Sequence, residues 1–276
     1  MIEVMQGTLG SGKSAAAVAR AILHLRKGGV VAANFSLVDG WSTEITKRYA
    51  LSYLPFGWGD EYCYKKSSSM YNRFFRVDGI DAIKKISPRE LAVDIYKDKG
   101  GYSEGAGLLI LDEFQLMANT RDWANNMNWV EFFTQSRKLG WNVLLIAHTI
   151  EMIDKQIRPL AEYESRFRNL QKVKVPILGC PLTPIPMFLV ITRYAGLGAG
   201  ASVIADRNLY PLPLWAARLY DSLEVFACRK PEELSAEPRL CGNPPEPPSG
   251  AGGFSPPVRR STLCPIYSAA VESGII

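Results

Sequence analysis

GTLGSGKS, residues 7–14, is the stretch that decides the fold, since it fits G-x-x-x-x-G-K-[ST], the pattern of a phosphate-binding loop. A strand candidate precedes it at residues 2–5. An Ala- and Leu-rich helical segment, residues 14–27, follows it and ends at Gly28-Gly29. When a glycine-rich loop connects a strand to a helix in this order, the backbone N–H groups of the loop can point toward phosphate oxygens. The alternative is a glycine-rich turn that binds nothing, but both flanks favour a loop that binds ATP or GTP.

Each residue of this loop has an expected part in nucleotide binding. Backbone N–H groups would cradle the phosphates, and Lys13 would reach the β- and γ-phosphates. The Ser14 hydroxyl would be a ligand of Mg²⁺. The predicted nucleotide-binding residues are Gly7, Thr8, Leu9, Gly10, Ser11, Gly12, Lys13 and Ser14.

Buried strands alternate with helices beyond the loop. Continuous apolar runs at residues 30–35, 107–111 and 141–147 predict strands, and helical spacing over residues 122–139 predicts the helix between the last two. Strands that alternate with helices imply a parallel sheet. We therefore expect an α/β fold of the P-loop NTPase type, with a mostly parallel sheet covered by helices on both faces.

The chain divides by composition into a domain and a tail. Residues 1–229 are expected to form the ATPase domain, with an irregular basic and aromatic insertion at 52–105, in which residues 78–97 are helical pieces split by Pro88. Residues 151–169 are interpreted as a charged helical stretch interrupted at Pro159, 171–195 as a hairpin, and 212–226 as a short helix and a strand. Residues 230–276 are rich in Pro and Gly and are predicted to be a disordered tail.

Composition narrows the class of protein. The net charge of +5 and pI of 8.9 are compatible with a polyanionic partner. Five scattered cysteines without a C-x-x-C pair argue against a disulfide framework and a structural zinc site, and favour a reducing cytosol. The nearest candidate for a membrane span, residues 176–205, is broken by prolines and carries Arg193. We expect a soluble protein with no intrinsic transmembrane segment.

A second half of the nucleotide site is predicted at LLILDE, residues 108–113, about 100 residues after the loop. Four apolar residues and two acids have the form of a Walker B segment, whose acids emerge at the sheet edge where ligands bind. Asp112 would bind Mg²⁺, and Glu113 would polarise the water that attacks the γ-phosphate. A strand that merely ends in an acidic cap is the alternative. The adjacent carboxylates favour hydrolysis over simple nucleotide holding.

Three further positions are candidates for catalysis. His148 or Thr149, at the end of the strand 141–147, would sense the γ-phosphate; alternatively, Thr149 caps a following helix. Arg137 and Arg158 are candidates for an arginine finger that reaches a neighbouring subunit's nucleotide. The alternative for each, and the one favoured for any single arginine, is a solvated arginine on a helix face.

Candidate DNA contacts lie in residues 65–76, where cations and aromatic rings alternate without an acid. Such a composition is typical of single-strand binding surfaces. The candidates are Lys65, Lys66, Arg73 and Arg76. A second basic cluster spans residues 155–174, and either cluster could line the pore of a ring. A solvated loop whose aromatics fold back onto the core is the alternative.

The ordered set of segments at residues 7–37, 108–115, 136–149, 153–160 and 219–226 resembles the zonular occludens toxin (Zot) family, which includes the filamentous-phage assembly ATPases. The resemblance implies a viral morphogenesis or DNA-translocation ATPase, distantly related to FtsK/HerA-type packaging motors. It carries over Gly12, Lys13, Ser14, Asp112 and Glu113 as nucleotide-site residues. Two departures stand out: no membrane span follows the domain, and the sensor position, often Gln in the family, holds His148 or Thr149.

Residues and resemblance together predict a Mg²⁺-dependent ATPase that forms a homo-oligomeric ring and couples ATP hydrolysis to DNA translocation in phage genome packaging or virion extrusion. The expected location is the host cytoplasm, with capsid or membrane assembly proteins as partners that could bring it to the virion or the membrane. One alternative is an ATP-switched scaffolding protein without DNA-stimulated turnover. A small-molecule kinase is disfavoured by the Asp-Glu pair.

Overall fold

The computed structural model describes residues 1–50, 58–93, 104–117, 123–172, 187–195, 203–211, 213–220 and 237–247. The strands are β1 (Ile2–Gly7), β2 (Val30–Ala33), β3 (Phe74–Arg76), β4 (Gly107–Leu111), β5 (Trp141–Ala147), β6 (Tyr163–Asn169), β7 (Met187–Tyr194), β8 (Ile204–Pro211) and β9 (Arg239–Leu240). The helices are α1 (Lys13–Arg26), α2 (Trp41–Ala50), α3 (Trp58–Tyr71), α4 (Ile80–Lys84), α5 (Pro88–Leu91), α6 (Phe114–Met117), α7 (Trp123–Gln135) and α8 (Leu214–Ala217).

The described strands form one sheet in the order β8-β7-β6-β1-β5-β4-β2-β3-β9. From β6 to β3 the pairing is parallel, whereas β7 and β8 are antiparallel at one edge and β9 is antiparallel at the other. Because carboxyl ends of parallel strands meet at one edge of the sheet, the segments after β1, β4 and β5 come together there. The predicted mostly parallel sheet is confirmed.

Side chains of the central strands alternate between two cores, one on each face of the sheet. In β2, Val30 and Ala32 pack with residues of α4, α6 and α7, whereas Val31 and Ala33 pack with residues of α1, α2, α3 and α8. The apolar face of α1 and the side chains of Trp129, Phe132 and Phe133 of α7 are buried in this way. The expectation that helices cover both faces is confirmed.

The prediction of a charged helical stretch at residues 151–169 is wrong. Two short 3₁₀ turns (Ile150–Met152 and Arg158–Leu160) lead into β6, which pairs with β1. Ser165 and Phe167 are buried while Arg166 and Arg168 are exposed, so the side chains follow the period of two of a strand. Residues 52–105 are also more regular than expected, since they include α3, β3, α4 and α5.

Part of the predicted tail packs on the domain. Residues 239–240 form β9 against β3, and Cys241 is buried in the core that contains α1. The Leu37 N–H donates to Cys241 Sγ at 2.9 Å, and Trp41 Nε1 donates to the Cys241 carbonyl at 3.2 Å. The tail prediction is therefore corrected for residues 237–247. Residues 230–236 and 248–276 lie outside the described residues.

Two other predictions fall partly outside the described ranges. Of the hairpin predicted at residues 171–195, the structure describes β7, whose antiparallel partner is β6, before that range, and residues 173–186 are not among the described residues. The short helix predicted at the start of 212–226 corresponds to α8, and the predicted strand after it is likewise outside. Within the described ranges, no helix combines the length and apolar character that crossing a membrane requires.

Candidate nucleotide site

The loop between β1 and α1 has a backbone that requires glycine. Gly10 and Gly12 have φ angles of +70° and +83°, in the left-handed region that other residues rarely adopt. A Cβ atom at Gly12 would lie 2.9 Å from the Phe188 ring, and one at Gly7 would lie 2.7 Å from the Phe167 carbonyl oxygen. β6 and β7 therefore pack so closely against the loop that its glycines have no room for side chains.

Lys13 is buried at the start of α1, and its ammonium group folds back over the loop. Nζ donates to the carbonyl oxygens of Gly7 at 2.6 Å and Thr8 at 3.2 Å. Burial lowers the pKa of Lys13, and the nearby charges of Asp112 and Glu113 oppose that shift. The loop thus holds a cation beside two acidic side chains.

Ser14 and Asp112 bring the two halves of the site into contact. Ser14 Oγ donates to Asp112 Oδ2 at 2.7 Å, and the Tyr220 hydroxyl donates to the same oxygen at 3.3 Å. Asp112 is 3% exposed, and burial raises its pKa, although the hydrogen bond from Ser14 works in the opposite direction. A hydroxyl and a carboxylate oxygen this close are the hard oxygen donors that Mg²⁺ prefers. The residues present therefore fit a magnesium ion beside a nucleotide.

Asn34, at the end of β2, fixes the backbone of Asp112. Its Nδ2 donates to the Asp112 carbonyl oxygen at 2.7 Å, and its Oδ1 accepts the Asp112 N–H at 2.8 Å. Both groups are buried, so this reciprocal pair satisfies polar atoms that water does not reach. Asn34 lies within the apolar run 30–35 of the sequence, and no pattern in that run indicates this role.

Glu113 adopts a left-handed conformation with φ +49°, which is uncommon for a residue other than glycine. Its N–H donates to Asp112 Oδ1 at 2.9 Å. Its Oε2 lies 3.4 Å from His148 Nε2 and accepts a hydrogen bond from the Gln115 side chain. Strained residues of this kind cluster at functional sites. His148 and Gln115 thus hold the Glu113 carboxylate at the edge where β4 and β5 end.

The remaining catalytic candidates are Thr149, Arg158 and Arg137. Thr149 is exposed and stands before a 3₁₀ turn, where its side chain makes no capping hydrogen bond. Arg158 donates to the carbonyl oxygens of Ile153 and Glu151, and so ties together its own segment. Arg137 is 71% exposed after the end of α7, and its Nη2 lies 3.0 Å from Glu104 Oε1.

The predicted DNA contacts divide into two groups. Lys65 and Lys66 are exposed on α3, and Lys65 pairs with Glu61 one turn earlier at 2.7 Å. Arg73 is 4% exposed, so its prediction as a DNA contact is wrong. Its guanidinium donates to the carbonyl oxygens of Leu25, Gly29 and Ser69 and serves to join α1 and α3.

Arg76 lies between these extremes. Its side chain is 29% exposed, contacts the hydroxyl of Ser36 and lies 3.6 Å from Asp78. Because the Lys65 side chain is 63% exposed, Arg76 is the less accessible cation and a weaker candidate for a phosphate contact.

Two residues from the end of β6 also touch the loop, and neither was expected there. Lys172 Nζ donates to the Leu9 carbonyl oxygen at 2.8 Å, and Asn169 Nδ2 donates to the Gly10 carbonyl oxygen at 3.2 Å. Lys172 was part of the basic cluster at residues 155–174, but nothing local to it indicates a partner 163 positions away.

The arrangement is that of a P-loop NTPase: a glycine loop between β1 and α1, an Asp-Glu pair after β4, and β5 inserted between those two strands. The Asp-Glu pair, the buried lysine and His148 meet at one edge of the sheet. They could bind the phosphates of a nucleotide with a divalent cation and position a water molecule beside a carboxylate.

The chain is similar in sequence to Gene 1 proteins of bacteriophages. The Gene 1 protein of Enterobacteria phage I2-2 is 30% identical over 252 residues, which are 87% of this chain and 60% of that protein. The Gene 1 protein of Salmonella phage IKe is 31% identical over 237 residues, 82% of this chain and 57% of that protein. The chain thus spans about 60% of the length of these relatives.

Among solved structures, the N-terminal domain of zonular occludens toxin from Neisseria meningitidis aligns with 80% of this chain and 98% of its own, at 15% identity and a TM-score of 0.39. The model of the zonular occludens toxin (Zot) family matches residues 1–180. That match covers more than half of the 276 residues, so the chain belongs to the Zot family.

Proposed function

We propose that this protein is an ATP-hydrolysing motor of phage morphogenesis, which couples hydrolysis to DNA movement during genome packaging or virion assembly. The contact that supports the proposal most strongly is the 2.7 Å hydrogen bond between Ser14 Oγ and Asp112 Oδ2. It unites the phosphate loop with the Asp-Glu pair, and the paired carboxylates favour hydrolysis over nucleotide storage.

Each part of the site has a role in this proposal. The loop from Gly7 to Ser14 would hold the phosphates of ATP, with Lys13 as its cation. Ser14 and Asp112 would hold Mg²⁺, which when bound neutralises phosphate charge. Glu113 would orient the attacking water and accept its proton. His148 and Gln115 would keep the Glu113 carboxylate in position, since both already contact it.

A motor of this kind would work as a homo-oligomeric ring, and an arginine would complete a neighbour's site. Arg137 is the better candidate, because its side chain is exposed and its partner, Glu104, is also at the surface. Arg158 is engaged with carbonyl groups of its own segment. The host cytoplasm is the proposed location, with capsid or membrane assembly proteins as further partners.

DNA would contact the exposed face of α3 through Lys65 and Lys66, and the partly exposed Arg76 is a further candidate contact. Cations that project from a helix into solvent neutralise phosphates without reading sequence. A motor that moves along a genome needs contacts of this sequence-independent kind.

Steady-state ATPase activity of the full chain, with and without single- and double-stranded DNA, tests the proposal. We expect Mg²⁺-dependent turnover that rises several-fold with DNA and that the Lys13→Ala and Glu113→Gln variants lose. The strand form that stimulates more would be the substrate. Slow turnover that DNA does not change, with nucleotide still bound, would contradict the motor.

A second candidate is an ATP-switched scaffolding protein. The inward-facing Arg73 favours it, because one of the four cations predicted to bind DNA is not available at the surface. In that case ATP would change the conformation of the chain and turnover would be indifferent to DNA. The same ATPase measurement separates the two candidates.

A further inference from the structure

Two lysines, distant in sequence, are bound to three consecutive carbonyl oxygens of the phosphate loop. Lys13 Nζ donates to the carbonyl oxygens of Gly7 and Thr8, and Lys172 Nζ donates to the carbonyl oxygen of Leu9 at 2.8 Å. The Lys172 ammonium also lies 3.2 Å from the position that a Cβ atom of Gly10 would take, so it lies directly against the loop. The site therefore has a second cation that the phosphate-loop pattern does not include.

The fold brings Lys172 to this position. β6 pairs in parallel with β1 and stays in register as far as Gly7 and Phe167, so the end of β6 lies beside the start of the loop. Asn169 then accepts the Gln171 N–H at 2.9 Å and donates to the Gly10 carbonyl oxygen. This local turn, continued by the 3₁₀ turn Leu170–Lys172, directs the lysine back over the loop.

The partner of Lys172 is a neutral carbonyl oxygen, and the residue is exposed. Hydrogen bonds from an ammonium group to phosphate are charge-assisted and stronger than those to a neutral acceptor. The four-carbon stem of lysine lets its head group change partner without movement of the backbone. A nucleotide in the loop would thus offer Lys172 a better partner than Leu9.

We propose that Lys172 is a second phosphate-binding cation of this site, whose ammonium group moves from the Leu9 carbonyl oxygen to the terminal phosphate of ATP. This inference rests on the proposed nucleotide-binding function. It assigns to β6 a direct part in distinguishing ATP from ADP, because only ATP carries the phosphate that Lys172 would bind.

The test is the affinity of the full chain for a non-hydrolysable ATP analogue and for ADP, measured with Mg²⁺ by displacement of a fluorescent nucleotide. We expect Lys172→Ala to weaken binding of the ATP analogue by about fivefold or more and binding of ADP by less than about twofold. Lys172→Arg, which keeps the charge, should restore most of the difference. Lys47→Ala, an exposed lysine on α2, is the matched control and should leave both affinities unchanged.

Two results would overturn the role of Lys172. Equal weakening of both nucleotides would make Lys172 a brace of the loop, and unchanged affinities would make its contact with Leu9 incidental. In either case, wild-type binding that Lys13→Ala abolishes would leave the proposed function intact. A wild-type chain that binds neither nucleotide would overturn both proposals together. Thermal unfolding of each variant without nucleotide separates loss of binding from loss of the fold.

Discussion

The hydroxyl of Ser14 and the carboxylate of Asp112 are 98 positions apart in the chain and 2.7 Å apart in the fold. Ser14 lies in the first turn of α1, and Asp112 lies directly after β4, with β5 between β4 and β1 in the sheet. Neither residue has to move far for the two oxygens to share a cation.

Replacement of Ser14 by alanine should therefore raise the Mg²⁺ concentration needed for half-maximal ATPase activity by about tenfold or more, because loss of a group around a metal typically costs that much in affinity. A magnesium titration of steady-state turnover measures it. An unchanged magnesium requirement would show that the Ser14 hydroxyl only pairs with Asp112 and binds no cation.

Glu113→Gln should lower kcat by about 10²- to 10⁴-fold while nucleotide affinity stays close to that of the wild type, since an amide cannot accept a proton from water. His148→Ala should lower kcat less, because it removes a group that holds Glu113 and leaves the carboxylate itself. Single-turnover hydrolysis and nucleotide binding, measured side by side, check both variants. A larger loss in His148→Ala than in Glu113→Gln would reverse these roles.

Asp112→Asn should make the nucleotide-free protein more stable at pH 8. Burial is the main reason that the pKa of Asp112 lies above its ordinary value of 3.8. A carboxyl group whose pKa is raised by folding contributes stability while it is protonated, and that contribution is lost as the pH rises through the folded pKa. We therefore expect a higher Tm for the variant at pH 8, and a difference that shrinks as the pH falls toward 3.8. A lower Tm at pH 8 would contradict the prediction.

Asn34→Ala should lower the free energy of unfolding by about 2–4 kcal/mol, because it leaves the buried N–H and carbonyl groups of Asp112 without partners. Denaturant unfolding measures this loss. Asn128→Ala, at an exposed position of α7, is the control and should change stability by less than about 0.5 kcal/mol. Equal effects of the two variants would mean that the reciprocal bonds add nothing.

Arg73→Met should destabilise the fold by about 3 kcal/mol or more, since three carbonyl groups lose the cation that joins them. The double variant Lys65→Ala/Lys66→Ala should keep the stability of the wild type and lower DNA affinity, with a weaker dependence of binding on salt. Denaturant unfolding and DNA binding at several salt concentrations check the pair. DNA binding that the double variant retains in full would exclude α3 as the contact surface.

Strands that are buried on both faces of the sheet could be predicted, because nearly all of their residues are apolar and they appear in the sequence as continuous apolar runs. GLLIL at 107–111 and WNVLLIA at 141–147 are examples, and both were found at those positions. β6 was missed, although it is parallel to β1. It is exposed on alternate residues, and its period of two, with Ser165 and Phe167 inward, was hidden by the charges of Arg166 and Arg168.

The contacts of the site that could not be predicted join side chains that are distant in sequence. The basic and aromatic composition of residues 65–76 indicates cations but cannot tell an outward lysine from an arginine that turns inward to carbonyl groups, as Arg73 does. Tyr220 and Lys172 reach the site from 108 and 163 positions away, respectively. Their contacts depend on the order of strands in the sheet, which no local pattern encodes.

The pairing of β9 with β3 has a consequence for the time course of folding. The core that contains α1 and Trp41 also contains Cys241, so it becomes complete only when the ribosome has made the chain as far as Cys241. The phosphate loop is made earlier than this segment, and its supporting core stays incomplete until Cys241, which lies 204 positions after its partner Leu37, is available. Contacts of such long sequence separation slow folding, because loop-closure entropy is lost before the contacts compensate. A nascent chain that stops before residue 241 should be more exposed to aggregation and proteolysis than the finished domain.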